Sequence, residues 1–484
     1  MFRSSVFASI LLRNNVALNS ANISYDATSH ALTVFGDGSV DKDDVIIYRG
    51  VAETITIKDQ VDVIGDEAFK GFSKLTTVSI SAPIKSFNIS AFQNCVNLAK
   101  VDFPSALTTI HDKCFQNCQK LAIETLPATI TEIGEYVFAG CSQIAKFTLP
   151  SSIKALPNGV FKNCANLESI TLHEELTSIG DFCFDGCLKL VISEVPNSVT
   201  SLGKSAFSNC PKITIFTFPS EVTVVPERIF SNGATLATVT FNTKIVSIGD
   251  YAFENCVALN LETVPETVTT IGTGAFYGCS FETFNLPDSV KEIPAKLFMN
   301  CAKLTYASYS STLTTIGDSA FEGCVLLDIS VLPESITKIG YRAFYNCQPI
   351  KITFWPLDSI PDYAFFNCTN LQKLIHQQTI KSIGAYAFYN CQNFDPNTII
   401  EEGLVSVGDF AFSTLKNFVL TTLPSTVTTI GCGTFKGCES IVEFAFPANV
   451  LVVSSQVFMD CAKLQKVTFS DKTYEVGSEA FKNC

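Results

Sequence analysis

The chain has 484 residues, 47% of them hydrophobic and only 16% charged, and its 33 basic and 46 acidic side chains give a formal charge of −13. These proportions exclude a disordered chain or a coiled coil, and without a Lys/Arg run to follow a phosphate backbone they argue against a nucleic-acid partner. No apolar run reaches the ~18 residues of a spanning helix, so no transmembrane helix is expected.

The chain opens with MFRSSVFASILLRNNVALNS, in which the apolar stretch Val6 to Leu12 is cut by Arg13. Residues 1–21 read as a marginal signal segment. Residues 22–57 contain NISYD, ALTVF and the turn Gly36-Asp37-Gly38. They read as strands joined by tight turns and are expected to form an N-terminal β cap.

From residue 58 to 484 one pattern recurs. IGDYAFENC at 248–256 has close relatives in IGDEAFKGF, IGEYVFAGC, IGDSAFEGC and IGAYAFYNC. Nineteen anchoring phenylalanines run from Phe69 to Phe481, Phe253 and Phe276 among them. Nearly all stand 23 residues apart, with steps of 22 after Phe276, 21 after Phe344 and 24 after Phe388. A chain that stacks coil on coil keeps such a count, because every coil presents the same apolar face to its neighbours. The expectation is one solenoid of about 19 coils.

Within the coil IAKFTLPSSIKALPNGVFKNC, Ile144, Phe147 and Leu149 alternate as a short strand with Lys146 and Thr148 pointing outward. Val160, Phe161 and Cys164 then fit one face of a single helical turn. The position before that turn is Gly in 12 copies, Gly249 included, and Pro at 157, 226, 294 and 361. Proline fixes φ near about −65°, so a left-handed glycine is not demanded there and a phosphate cradle is not the reason for the glycines. A tight turn into a short helix accepts both residues, and Asp66, Asp181, Asp250, Asp318 and Asp409 would then sit at its positive end.

Sixteen of the 19 cysteines, Cys256 and Cys279 among them, occupy the column three residues after the anchoring Phe, where Phe72, Gly233 and Leu415 also occur. A column that accepts Phe and Leu is apolar, and free cysteine packs as a small hydrophobe. Disulfides between neighbouring coils would need parallel Cβ vectors to face each other. Zinc would need close cysteine pairs or nearby histidines, whereas His30, His111, His173 and His376 are widely spread. No Ser/His/Asp, Cys/His or paired-carboxylate set stands out from the repeat columns, so no catalytic residue, metal or cofactor is assigned.

A longer period lies over the short one. Pro157, Pro226, Pro294 and Pro361 mark every third coil, and so do LAIETLP at 121, LVISEVP at 190, LNLETVP at 259 and LDISVLP at 327. FVLTTLP at 418 arrives after four coils, as if one coil were inserted. These segments leave Glu124, Ser193, Glu262, Ser330 and Thr421 where an inward residue would stand. A strand bulge explains the shift; the alternative is a ligating feature repeated along the sheet. Thr148, Thr171, Thr217, Thr240, Thr353 and Thr468, each between apolar strand residues, form an outward row that is the candidate partner-binding face. Asn22, Asn88 and Asn367 begin N-x-S/T triplets that could carry glycans in a secreted protein.

The consensus LxxIxLPxxVTxIGxxAFxxC closely resembles the BspA-like leucine-rich repeat family over about residues 58–484, and ALTVFGDG resembles the cap such proteins often carry. The resemblance implies a leucine-rich-repeat solenoid, curved and right-handed, with a parallel β-sheet on one face and short helical turns on the other. It implies kinship with surface proteins of mucosal bacteria and parasitic protists. The expected function is non-enzymatic recognition or adhesion at the cell surface or after secretion, with a protein or glycan partner. The alternative is a cytoplasmic scaffold for protein–protein interaction. The array is expected to be uncapped or truncated at Cys484.

Overall fold

The computed structural model describes residues 20–352, 354–376 and 378–484. The segment read as a signal therefore lies almost wholly outside the described residues, and Thr353 does so too. The chain forms two units, up to Ile153 and from Lys154 to Cys484, both built from parallel β coils with almost no helix.

In the first unit, β1 (Asn22–Asp26) and β2 (Ala31–Phe35) pair antiparallel. Asp26 closes their turn by accepting from the Thr28 N–H and the Ser29 hydroxyl, the local bond that makes aspartate a turn former. β3 (Asp37–Val40) and the four-residue helix α1 (Lys42–Val45) follow. From β4 (Thr54–Ile57) and β5 (Gln60–Ile64) onward every pairing is parallel. β6 (Thr77–Ile80) and β8 (Lys100–Val101) extend the sheet β1-β2-β4-β6-β8. β7 (Ser86–Phe87), β9 (Thr109–Ile110) and β10 (Glu132–Ile133) extend the sheet that starts at β3. Leu32, Val34, Ile55, Ile57 and Val78 are buried between them.

In the second unit a coil has a two-residue strand before the Gly/Pro column and a run of turns, and most coils also have a strand segment of two or three residues. The expected short helix is not formed. Tyr251 and Asn255 have φ of 53° and 58°, in the left-handed region that no α-helix contains. The backbone alternates instead. The N–H groups of Ala252, Glu254 and Cys256 donate back to Gly249, Tyr251 and Phe253, whereas those of Tyr251, Phe253 and Asn255 donate forward to Thr273, Ala275 and Tyr277 in the next coil. In a helix the N–H groups would point along its own axis, and none would reach sideways to hold the neighbouring coil. On the strand side donation runs the other way, as from Gly249 N–H to Val225 O at 2.8 Å.

The glycine column is explained by proximity. None of its twelve members has a positive φ, but a Cβ on Gly249 would lie 2.6 Å from the Glu227 backbone nitrogen. The aspartates are likewise reassigned. With no helix beside it, Asp250 accepts the Thr273 N–H at 2.7 Å, and Asp181, Asp318 and Asp409 accept equivalent bonds. They clamp one coil to the next.

Proline sets the length of the ladders. Val224–Val225, Ser247–Ile248 and Thr270–Ile271 form one three-stranded sheet, and the next begins at Glu292–Ile293, just before Pro294. Proline has no N–H to donate to the preceding coil, so the ladder stops there. The block after Pro361 has four strands because it contains the inserted coil, whose own strand segment is replaced by the 3-10 turn Pro396–Thr398.

Candidate functional site

The threonine row was placed on the outer strand face, and the described members are there. Thr148, Thr171, Thr217, Thr240 and Thr468 each close a three-residue strand and are exposed. Thr217 and Thr240 are direct partners across a parallel ladder; Thr468 instead pairs with Ala445.

This outer face is not one continuous sheet. Ile215–Thr217 pairs with Thr238–Thr240, Thr283–Asn285 with Tyr306–Ser308, and Glu443–Ala445 with Lys466–Thr468, each as an isolated two-stranded sheet. The coils between them carry the shifted LVISEVP-type segments. There the ladder is reduced to single bridges, Glu194 to Thr217, Thr263 to Asn285 and Thr422 to Ala445. Ser193, Glu262 and Thr421 are exposed while their carbonyls accept from Thr217, Asn285 and Ala445. The strand is interrupted at these segments, and the effect is to open the face.

Shallow grooves lie at these breaks. One, of about 290 Å³, is lined by Glu174, Glu194, Pro196, Asn197 and Thr217. Another is lined by Tyr306, Ser308, Tyr309, Asp328 and Ser330. In it Tyr306 is 53% exposed, Tyr309 donates to the Val331 carbonyl, and burial pushes the Tyr309 hydroxyl well above the ordinary phenol value. A third, at Glu401, Thr421 and Thr422, adds Glu402, whose carboxylate accepts from Ser425. Carboxylate, amide, hydroxyl and phenol groups in open grooves suit an extended polar partner, held by hydrogen bonds with aromatic contact at Tyr306. Only Thr217 of this set belonged to the predicted row. Ser330 and Thr421 belong to the shifted segments that the three-coil period singled out as the alternative ligating feature, and the remaining groove residues lie beside those segments.

The remaining selected residues are inside. Phe253 and Phe276 stack at 5.7 Å with 9° between ring planes, and both are fully buried. Cys256 and Cys279 are buried as well; burial pushes the Cys256 thiol up to about 12, far from a nucleophile's range. Cys256 and Cys279 are free thiols. Among the described residues no group of three or more His, Cys, Asp or Glu could hold a metal ion. Asn367 is committed to an amide ladder, donating to Asn346 at 2.6 Å and accepting from Asn390 at 2.7 Å, which sets it apart from the exposed Asn22 as a glycan acceptor. Among the described residues no helix is long and apolar enough to cross a membrane.

The sequence matches the family described as BspA type leucine rich repeat region over residues 48–167, 120–237, 155–264, 233–351 and 358–484. No curated protein matches it. Among solved structures, the chain is similar to a leucine-rich repeat protein from Bacteroides ovatus with 20% identity and a TM-score of 0.51, over 94% of this chain and 100% of that one. That likeness is one of fold. It is also similar to a leucine rich cell surface protein from Faecalibacterium prausnitzii with 23% identity and a TM-score of 0.47, over 75% of this chain and 94% of that one.

Proposed function

The chain belongs to the BspA-type leucine-rich repeat family, and from that premise we propose that it is a non-enzymatic recognition protein. It acts at the cell surface or after secretion and holds a protein or glycan partner against the grooved strand face. The observation that carries this reading is the groove where exposed Thr217 meets Glu194 and Asn197. Asp250 and Asn367 on the turn side, by contrast, are spent on binding coil to coil. Residues 22–57 serve as the cap of the first unit, since the antiparallel β1 covers the edge of β2 that a parallel neighbour would otherwise take.

The free thiols of columns such as Cys256, Cys279 and Cys301 favour a second reading, an intracellular scaffold, because thiols persist in reducing compartments. A tagged protein in its native cell separates the two. Antibody staining of intact cells is expected. Staining only after permeabilisation would overturn the surface reading in favour of the scaffold.

A further inference from the structure

Four successive coils of the second unit carry an aromatic ridge on the turn side, away from the strand face. Two columns build it. In one, Tyr363 stacks on Tyr386 at 4.7 Å and Tyr386 on Phe410 at 4.9 Å. In the other, Tyr345 stacks on Phe366 at 4.6 Å and Phe366 on Tyr389 at 4.7 Å. The fold does not require these rings. The same two positions hold Lys296 and Met299, then Ser319 and Glu322, in the coils before the ridge, and Gly433 and Lys436 in the coil after it. All six rings are partly open to solvent, and Tyr341 beside them is 41% exposed.

We propose that this ridge is a docking surface for an arginine-rich segment of a partner protein. The molecule itself shows what this column of rings accepts. Arg228 lies over Tyr251 at 4.4 Å and Lys162 over Phe182 at 4.5 Å. Arg342 lies about equally close to Tyr341, Tyr345 and Tyr363, at 5.1, 4.9 and 5.0 Å. Arg342 is also the only basic side chain in the turn segments 341–346, 362–367, 385–390 and 409–414. The exposed Asp362 and Asp409 stand beside the rings with no basic side chain in their own turn segments. A guanidinium can donate through its N–H fork to the tyrosine hydroxyls and to a carboxylate together, a combination that an ammonium matches less well. Burial holds the Tyr363 and Tyr386 hydroxyls above the ordinary phenol value, with Asp362 and Asp409 adding to the shift and Arg342 opposing it at Tyr363.

The test titrates the full chain with a hexa-arginine peptide at low salt, following tyrosine fluorescence. Binding is expected, weaker for hexa-lysine and reduced by salt. Tyr386→Ser with Tyr389→Ser is expected to weaken it by about tenfold, and Tyr386→Phe with Tyr389→Phe, which keeps the rings and removes only the hydroxyls, to weaken it less. Asp362→Asn with Asp409→Asn keeps an acceptor for the backbone and is expected to weaken binding several-fold without lowering Tm. No binding of hexa-arginine would overturn the proposal. So would binding that the serine and asparagine variants leave unchanged, because the attraction would then belong to the acidic chain as a whole. A Thr217→Lys, Thr240→Lys variant, placed on the strand face, leaves this titration unaltered and so separates it from the recognition reading.

Discussion

The thiol of Cys256 donates to the backbone carbonyl of Phe230, one coil earlier, at 3.3 Å. The same bond recurs along the array, as from Cys279 to Phe253 at 3.2 Å and from Cys391 to Phe365 at 2.9 Å. The Phe253 carbonyl therefore has two partners, the Cys256 N–H of its own coil and the Cys279 sulfur of the next. Cysteine is more than a small hydrophobe here, since it fills the volume and also satisfies a buried lone pair. Cys256→Ala should cost about 1–2 kcal/mol, from a small cavity and a carbonyl left short of one partner. Urea denaturation checks this, and a variant as stable as the parent would remove the thiol bond from the account.

Thiol chemistry should divide sharply by position. Of the cysteines, 17 are buried, Cys432 is intermediate and Cys484 exposed. A thiol reagent at neutral pH should label those two in the folded protein and the rest only after unfolding, as mass spectrometry would count them. Rapid labelling of Cys256 in the native state would contradict the packing described above.

The same burial fixes a pH dependence. Cys95, Cys210, Cys256 and Cys301 are all raised to about 12, with loss of hydration as the main cause. Because the folded state holds these protons more tightly than the unfolded chain, their contribution is complete below the unfolded value of about 8.5 and is lost as pH rises through 12. The urea midpoint should therefore fall steeply across that alkaline window. A flat profile there would mean that the thiols titrate as freely as in the unfolded chain.

Two glycines should behave oppositely. Gly272→Ala should destabilise by about 2 kcal/mol or more, because its Cβ would lie 2.4 Å from the Asp250 backbone nitrogen. Gly278, at φ 68°, sits in the column that holds Asn255 one coil earlier. Gly278→Asn should change stability by less than about 0.5 kcal/mol, its amide donating to Asn255 as Asn255 does to Asn232 at 2.9 Å. Thermal melts of the pair decide the matter; equal losses would show that φ, and not backbone proximity, governs both columns.

On the strand face, Thr217→Lys with Thr240→Lys should reduce partner binding without unfolding, since both side chains are exposed and surface changes of this kind usually stay within about 0.5 kcal/mol. Binding to whole target cells, read against a circular dichroism melt, tests it. Unchanged binding would move the interface elsewhere.

The sequence alone determined the coil count, the buried Phe and Cys columns and the outward threonines, because periodicity reports which residues share an environment. It also displayed the three-coil period of Pro226, Pro294 and Pro361. Only the tertiary structure showed that these prolines end ladders, that the shifted segments open grooves, and that Tyr251 and Asn255 turn left-handed where a helix was expected. The physical reason is the same in each case. A repeat reveals that a backbone donor or a side chain recurs, but whether that donor bonds within its own coil or to the next is settled only when the coils are stacked. The ridge from Tyr341 to Phe410 was hidden for a related reason. Its rings are scattered through four coils in the sequence, and stacking alone brings them into contact.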